Sequence, residues 1–150
     1  WLGGWSLSGV ATLQSGRAYS LFSGTNNLNA SNDNRLLDLP NTLIRCGSCA
    51  TPIQLASGVT KAQLTPAAGA LGTLGRNTER TDGLVDVGFS LSKDFRVTER
   101  LRMQFRGELF NAFNVTNFNA VDNVLVSPSF GRYTSAFDPR RAQLVARIVF

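Results

Sequence analysis

Polar and apolar residues alternate along four stretches of the chain, and a period of two fits strands rather than helices. From Trp5 to Leu13 the odd positions read Trp5, Leu7, Gly9, Ala11 and Leu13, against Ser6, Ser8, Val10, Thr12 and Gln14. Between Leu84 and Phe95, Val85, Val87, Phe89, Leu91 and Phe95 oppose Asp86, Gly88, Ser90, Ser92 and Asp94; only Lys93 breaks the pattern. Leu101, Met103, Phe105, Gly107 and Leu109 oppose Arg102, Gln104, Arg106 and Glu108. At the end, Ala142, Leu144, Ala146, Ile148 and Phe150 turn away from Arg141, Gln143, Val145, Arg147 and Val149. Strands are therefore predicted over about 5–19, 84–95, 100–110 and 140–150.

The connections differ sharply in length. Arg96-Val97-Thr98-Glu99-Arg100 predicts a tight hairpin. Residues about 20–83 and 111–139 form long connections, the first rich in Asn, Ser, Gly, Thr and Ala. Loops of that length usually carry function or order poorly. Short turns at one end and long loops at the other are the asymmetry of an outer-membrane barrel. With the hairpin centred near Thr98, Asp94 is expected opposite Arg102, Ser90 opposite Arg106, and Glu108 facing Gly88.

Composition removes most chemistry. The 150 residues contain no His, which excludes imidazole acid–base catalysis, Ser-His-Asp and Cys-His pairs and His metal sites. No nucleophile–base constellation is present, so the chain is expected to be no enzyme and to need no cofactor or metal. The formal charge is +5, but the Lys and Arg residues are scattered or alternate with apolar ones. They form no basic stripe with interleaved aromatics, which argues against nucleic acid as a partner. No apolar run approaches the roughly 18 residues of a transmembrane helix. The first thirty residues lack the basic start and apolar core of a signal peptide. The chain opens Trp1-Leu2-Gly3-Gly4 without Met and is expected to be cut from something longer.

A soluble sandwich alternates too, so the faces decide the matter. Arg102, Arg106, Glu108, Arg141 and Arg147, with Asp86 and Asp94, give a polar face suited to a watery lumen. Trp5, Phe95 and Phe150 are expected as an aromatic girdle at the short-turn side, and Tyr19, Phe22, Phe110 and Phe113 as one towards the long loops. Ala142, Leu144, Ala146, Ile148 and the terminal Phe150 match the signal read by the bacterial β-barrel assembly machinery. The fold class is therefore all-β: an antiparallel transmembrane β-barrel segment whose four strands are an open sheet in isolation.

Smaller features have plainer readings. Cys46-Gly-Ser-Cys49 lacks the His or second pair of a zinc site, and a local disulfide pinching the loop is expected. The inward arginines are expected to pair with neighbouring carboxylates, or with the acids of a domain inside the barrel, before they guide an anionic substrate. Pro139 marks the start of the last strand, and Arg132 and Arg140 are placed to meet lipopolysaccharide at the rim. Asn26, Asn27, Asn29, Asn32 and Asn34 suit turns, with carbohydrate contact as the alternative.

Several runs together resemble one family. Gly75-Arg76-Asn77, Val85 through Phe95, Thr98 through Arg106, and Glu108-Leu109-Phe110-Asn111-Ala112-Phe113-Asn114 with Asn117-Phe118 are similar to Oar-like TonB-dependent receptors. So are Leu7-Ser8-Gly9, Thr12 through Arg17, Ser129-Phe130-Gly131-Arg132, Asp138-Pro139-Arg140 and Gln143 through Phe150. The likeness covers most of the chain except roughly 26–71. It implies a barrel of about 22 strands with a plug, often with a carboxypeptidase-regulatory-like domain. The chain is then a C-terminal wall segment in the bacterial outer membrane. Its partners are the rest of its own barrel and plug, outer-membrane lipid and lipopolysaccharide, the assembly machinery, TonB through an upstream segment, and an unidentified ligand. A complete small or adhesive barrel without energised transport, or a secreted β-sandwich binding module, are the alternatives from other classes.

Overall fold

The computed structural model describes residues 3–25, 34–47 and 49–150. In chain order its elements are β1 (Trp5–Gln14), β2 (Ala18–Tyr19), β3 (Leu43–Arg45), β4 (Ile53–Leu55), α1 (Lys61–Leu64) and β5 (Glu79–Arg80). They continue with β6 (Leu84–Arg96), β7 (Arg102–Phe110), β8 (Phe118–Val121), β9 (Tyr133–Ala136) and β10 (Arg141–Val149). Among the described residues the fold is all-β and antiparallel, with a single one-turn helix, and its main sheet is not closed. The chain forms two compact units: Trp1–Gln14, Leu84–Asn117 and Phe137–Phe150 in one, Ser15–Gly83 and Phe118–Ala136 in the other.

The first unit is the sheet β1-β6-β7-β10. Its strands are those with the strict alternation, and the register keeps each face uniform: Leu7 pairs with Leu91, Leu91 with Gly107 and Gly107 with Leu144. One row away, Ser8 pairs with Ser90, Ser90 with Glu108 and Glu108 with Gln143. The apolar face stays open. Leu7 and Leu13 are each 75% exposed and Leu144 is 90% exposed, an arrangement that water would penalise.

Two expectations change here. The first predicted strand stops at Gln14 instead of reaching residue 19. A Cβ on Gly16 would lie 1.7 Å from the Thr81 carbonyl oxygen, so only glycine lets the backbone pass there. Arg17 N–H then donates to Thr81 Oγ1 at 2.9 Å, and β2 pairs with β5 in a separate sheet. The hairpin is also centred one residue later than expected: Val97 to Leu101 form the turn, with Val97 N–H donating to Leu101 O at 2.9 Å. Arg96 therefore faces Arg102, Asp94 faces Gln104 and Ser90 faces Glu108. A slip of two keeps every side chain on its expected face but changes each partner. The other strand ends differ by one or two residues: β6 runs on to Arg96, β7 starts at Arg102, and β10 spans Arg141–Val149.

The second unit shows that the long connections are not structureless. Leu21, Leu36, Ile53, Leu64, Leu74 and Leu125 form a buried core, with Tyr19, Leu43, Leu55, Val59 and Phe130 packed against it. The two connections are laced together through Phe22, whose N–H donates to Asn123 O and whose carbonyl accepts from Leu125 N–H. Gly131, at φ 77°, passes so close to the Ile53 carbonyl that any Cβ would collide with it. Asn34, buried, accepts from Gly72 N–H and donates to Ala70 O, a structural role rather than an exposed carbohydrate contact. Asn26, Asn27, Asn29 and Asn32 lie outside the described residues.

Two buried asparagines close the β7 end of the sheet. Asn111, at φ 48°, accepts from Val115 N–H and donates to Val115 O, each at 2.9 Å. Asn117 does the same with Val85, where its amide replaces a backbone strand as the partner of β6. Asn117→Ala is expected to lower the unfolding free energy of the full polypeptide in detergent micelles by about 1–3 kcal/mol, since two backbone groups lose their partners. A change of a few tenths would contradict this role.

Candidate functional site

The polar face of the sheet gathers the sequence-predicted residues. Arg102, Arg106 and Glu108 stand on β7, and Arg141 and Arg147 on β10, all on the face shared with Asp86, Ser90 and Asp94 of β6. Arg106 is the best-held cation: its guanidinium pairs with Glu108 at 2.6 Å, and its Nε donates to Ser90 Oγ at 3.0 Å. Ser90 lies diagonally across from Arg106, because Ser92 is its direct partner. Arg141 pairs with Asp138 at 2.9 Å, which ties the start of β10 to the turn before it. Arg102 and Arg147 have no ion pair among the described residues.

Small residues on β6 make this face concave. Gly88 and Ser90 floor a groove of about 330 Å³, with Ser8 and Thr12 on one side and Arg106 and Glu108 on the other. Asp86 also lines it, and one oxygen of its carboxylate is buried without a hydrogen-bond partner among the described residues. Such a surface suits polar packing or solute contact. Among the described residues no three His, Cys, Asp or Glu side chains converge as a metal site would require.

The opposite face carries the residues expected from the sequence to form the assembly signal. Ala142, Leu144, Ala146 and Ile148 line up along β10, and Phe150 follows at 97% exposure. Towards the hairpin, Phe95 and Phe105 meet edge to face at 5.8 Å, and Trp5 lies beside them. Lys93, the one charged residue on this face, is nearly buried. Its ammonium sits 4.8 Å from the Trp5 ring centroid and 5.4 Å from that of Phe95, and donates to Gly3 O. Cation–π contact of this kind contributes about 0.5–2 kcal/mol. At the other end the expected girdle is corrected. Phe110 points to the polar face opposite Arg141, and Tyr19 and Phe22 belong to the second unit. Phe89 and Phe113, 6.3 Å apart and edge to face, form the aromatic contact there. Sequence position alone could not show this, because Phe110 follows the polar parity of β7 while Phe113 lies beyond the strand.

Within the second unit, Cys46 and Cys49 are joined by a disulfide at the tip of the β3–β4 hairpin, with Cα atoms 5.6 Å apart. Arg45 in the same hairpin donates twice to Glu79, at 2.7 and 2.6 Å; Glu79 is 4% exposed. The hydrogen bonds to Glu79 hold the Arg45 guanidinium above its ordinary value, against burial. Burial, with the Glu79 carboxylate beside it, pushes the Tyr19 hydroxyl well up. Neither Glu79 nor the Asn111 and Asn117 pair was singled out for a role from the sequence. Only their place in motif-rich runs marked the asparagines.

Asp122 organises the turn between β8 and β9. It accepts from Ser127 Oγ, from Ser129 Oγ at 2.5 Å and from Val124 N–H at 3.2 Å. Burial pushes its carboxyl up, but these hydrogen bonds outweigh that and hold it below the usual range. A carboxyl depressed on folding stabilises at pH above its unfolded value of about 3.9, and that contribution is lost as pH falls through the folded one. Exchange of the Val124 and Ser129 amides, corrected for intrinsic rates, is expected to accelerate below about pH 4, and Asp122→Asn to abolish this pH dependence. Protection that is flat across that range in the unaltered chain would contradict the assignment.

A family model described as an outer membrane beta barrel domain matches residues 1–143. No curated protein and no solved structure matches the chain.

Proposed function

The chain belongs to the outer membrane beta barrel domain family, and from that premise we propose that it is the C-terminal wall of a TonB-dependent, Oar-like receptor. It resides in the bacterial outer membrane. The observation that carries the finer reading is the open sheet. Four long strands are laddered side by side, with β1 and β10 each unpaired along one edge. Barrels of a single chain begin at about eight strands, and lipid tolerates no free edge. The wall therefore needs at least about four strands beyond these, a requirement that a large plugged receptor meets. The resemblance of the β6–β7 and β10 runs to Oar-like receptors supports the same reading. So does the folded core of the two long connections, which suits a binding surface at the extracellular mouth.

In this reading the contribution of residues 1–150 is passive. The face bearing Leu91, Phe105 and Leu144 meets lipid, and the face bearing Arg106 and Glu108 meets the lumen or plug. The long connections take part in ligand capture, with Arg132 and Arg140 near lipopolysaccharide. Ala142, Leu144, Ala146, Ile148 and Phe150 present the last strand to the assembly machinery. No residue performs catalysis, and no cofactor is needed.

The test is a binding measurement on the full polypeptide extracted from outer membranes in detergent. It is expected to bind the periplasmic domain of TonB from the same bacterium, and removal of its N-terminal TonB-binding segment to abolish the complex. No binding would leave a barrel without energised transport and overturn the receptor reading.

A further inference from the structure

Two hollows on the polar face of the sheet meet at one carboxylate. The first, of about 330 Å³, is lined by Asp86 and Phe110 with Arg106 and Glu108. The second, of about 320 Å³, is lined by Asp86 and Phe110 with Phe137, Asp138 and Arg141. Arg106 is neutralised by Glu108 and Arg141 by Asp138. Asp86 has no ion pair among the described residues, and one of its oxygens is buried without a hydrogen-bond partner. The three acids and two arginines of these hollows therefore leave a single negative charge, and it belongs to Asp86.

The register explains why that charge stays unbalanced. On β1 the partner of Asp86 is Thr12. On the other side β7 has ended at Phe110 before it reaches Asp86, and the next link across is Ala112 N–H to Val87 O. No strand neighbour supplies a cation. Gly88, which faces Val10, leaves the floor beside Asp86 low. The rings of Phe110 and Phe137 are 43% and 41% exposed, and Phe110 stands in the row of Arg141 on the polar face. Lipid meets the other face, so the exposed part of the Phe110 ring is offered to a solute.

We infer that these hollows bind a small organic cation: an ammonium group that donates to Asp86, on an apolar body held against Phe110 and Phe137. A buried carboxylate oxygen without a partner is costly, and a cation removes that cost. The hydrogen bond it makes is charge-assisted, and aromatic faces attract the same ammonium. A neutral polyol would satisfy the oxygen but leave the charge, and an anion would be repelled by it. Each hollow lies near the lower end of the roughly 300–1,000 Å³ of small-molecule sites, which is room for one small solute. The site sits at the end of the sheet opposite the Val97–Leu101 turn. Short turns of outer-membrane barrels are periplasmic, so the site opens towards the outside. It goes beyond the receptor reading and needs only the outer-membrane orientation of the wall.

Calorimetric titration of the full polypeptide in detergent, measured against empty micelles, tests the site with phenethylammonium and its neutral counterpart phenethyl alcohol. Saturable binding is expected for the ammonium and not for the alcohol. Asp86→Asn is expected to weaken the ammonium about tenfold or more, and Phe110→Leu about fivefold. Retained heat-modifiable mobility shows that each variant is an assembled barrel. Asp86→Asn is also expected not to lower the thermal midpoint of the ligand-free barrel, because no group of the chain holds that carboxylate. A midpoint that falls would mean that another segment of the polypeptide already pairs with Asp86, and the site would be overturned. Equal binding of the alcohol, an affinity unchanged in Asp86→Asn, or no saturable binding would overturn it as well. Ammonium binding that depends on Asp86, in a polypeptide that fails to bind TonB, would remove the receptor reading and leave the site standing.

Discussion

Hydrocarbon offers no hydrogen bonds, so a strand that crosses it has to find a backbone partner on both edges. In the four long strands that demand is met only in the middle: β6 and β7 are laddered on each side, β1 and β10 on one. The remaining architecture follows from this. Side chains are free to alternate strictly, because the backbone and not a packed core holds the strands together, and the outward face can be left bare because its solvent is lipid. A sheet with Leu144 at 90% exposure and Leu7 at 75% makes no sense in water. As part of an outer membrane beta barrel domain, it makes immediate sense.

The same logic explains where conventional folding takes over. Once the chain leaves the membrane span, backbone groups compete with water and a hydrophobic core becomes useful again. The two long connections supply one from leucines and Ile53, and they hold polar groups with Glu79, Asp122 and Asn34. Beyond the end of β7, Asn111 and Asn117 stand in for missing strand neighbours. The sheet and the connections therefore rely on different forces. A substitution on the outward face acts through lipid contact, whereas one at Leu36 or Leu125 acts through cavity formation.

The fold class and the two faces of the sheet were legible because period-two alternation is a direct print of strand geometry. Partnerships were less legible. Placing the hairpin centre at Thr98 was one residue off, and that error moved each expected partner by two positions while leaving the faces unchanged. Turn geometry is set by local bonds such as Val97 N–H to Leu101 O, which composition does not reveal. The early end of β1 depends on a close backbone approach at Gly16, and the core of the connections draws leucines from positions with no common period. At the inner face, the residues were visible as a polar row. That Arg106 and Arg141 are neutralised in place, while among the described residues Arg102 and Arg147 are not, emerged only from the register and the observed ion pairs.

Solvent accessibility residue by residue along β7 tests the central claim most directly. Single cysteines placed in turn from Met103 to Leu109, in a Cys46→Ser and Cys49→Ser background of the full polypeptide in outer membranes, would be probed with a water-soluble maleimide and a lipid-confined reagent. The expected result is strict alternation, with Gln104, Arg106 and Glu108 reached from water and Met103, Phe105 and Leu109 from lipid. Uniform labelling by the aqueous reagent along the strand would mean that the apolar face does not meet a membrane, and the account would fail.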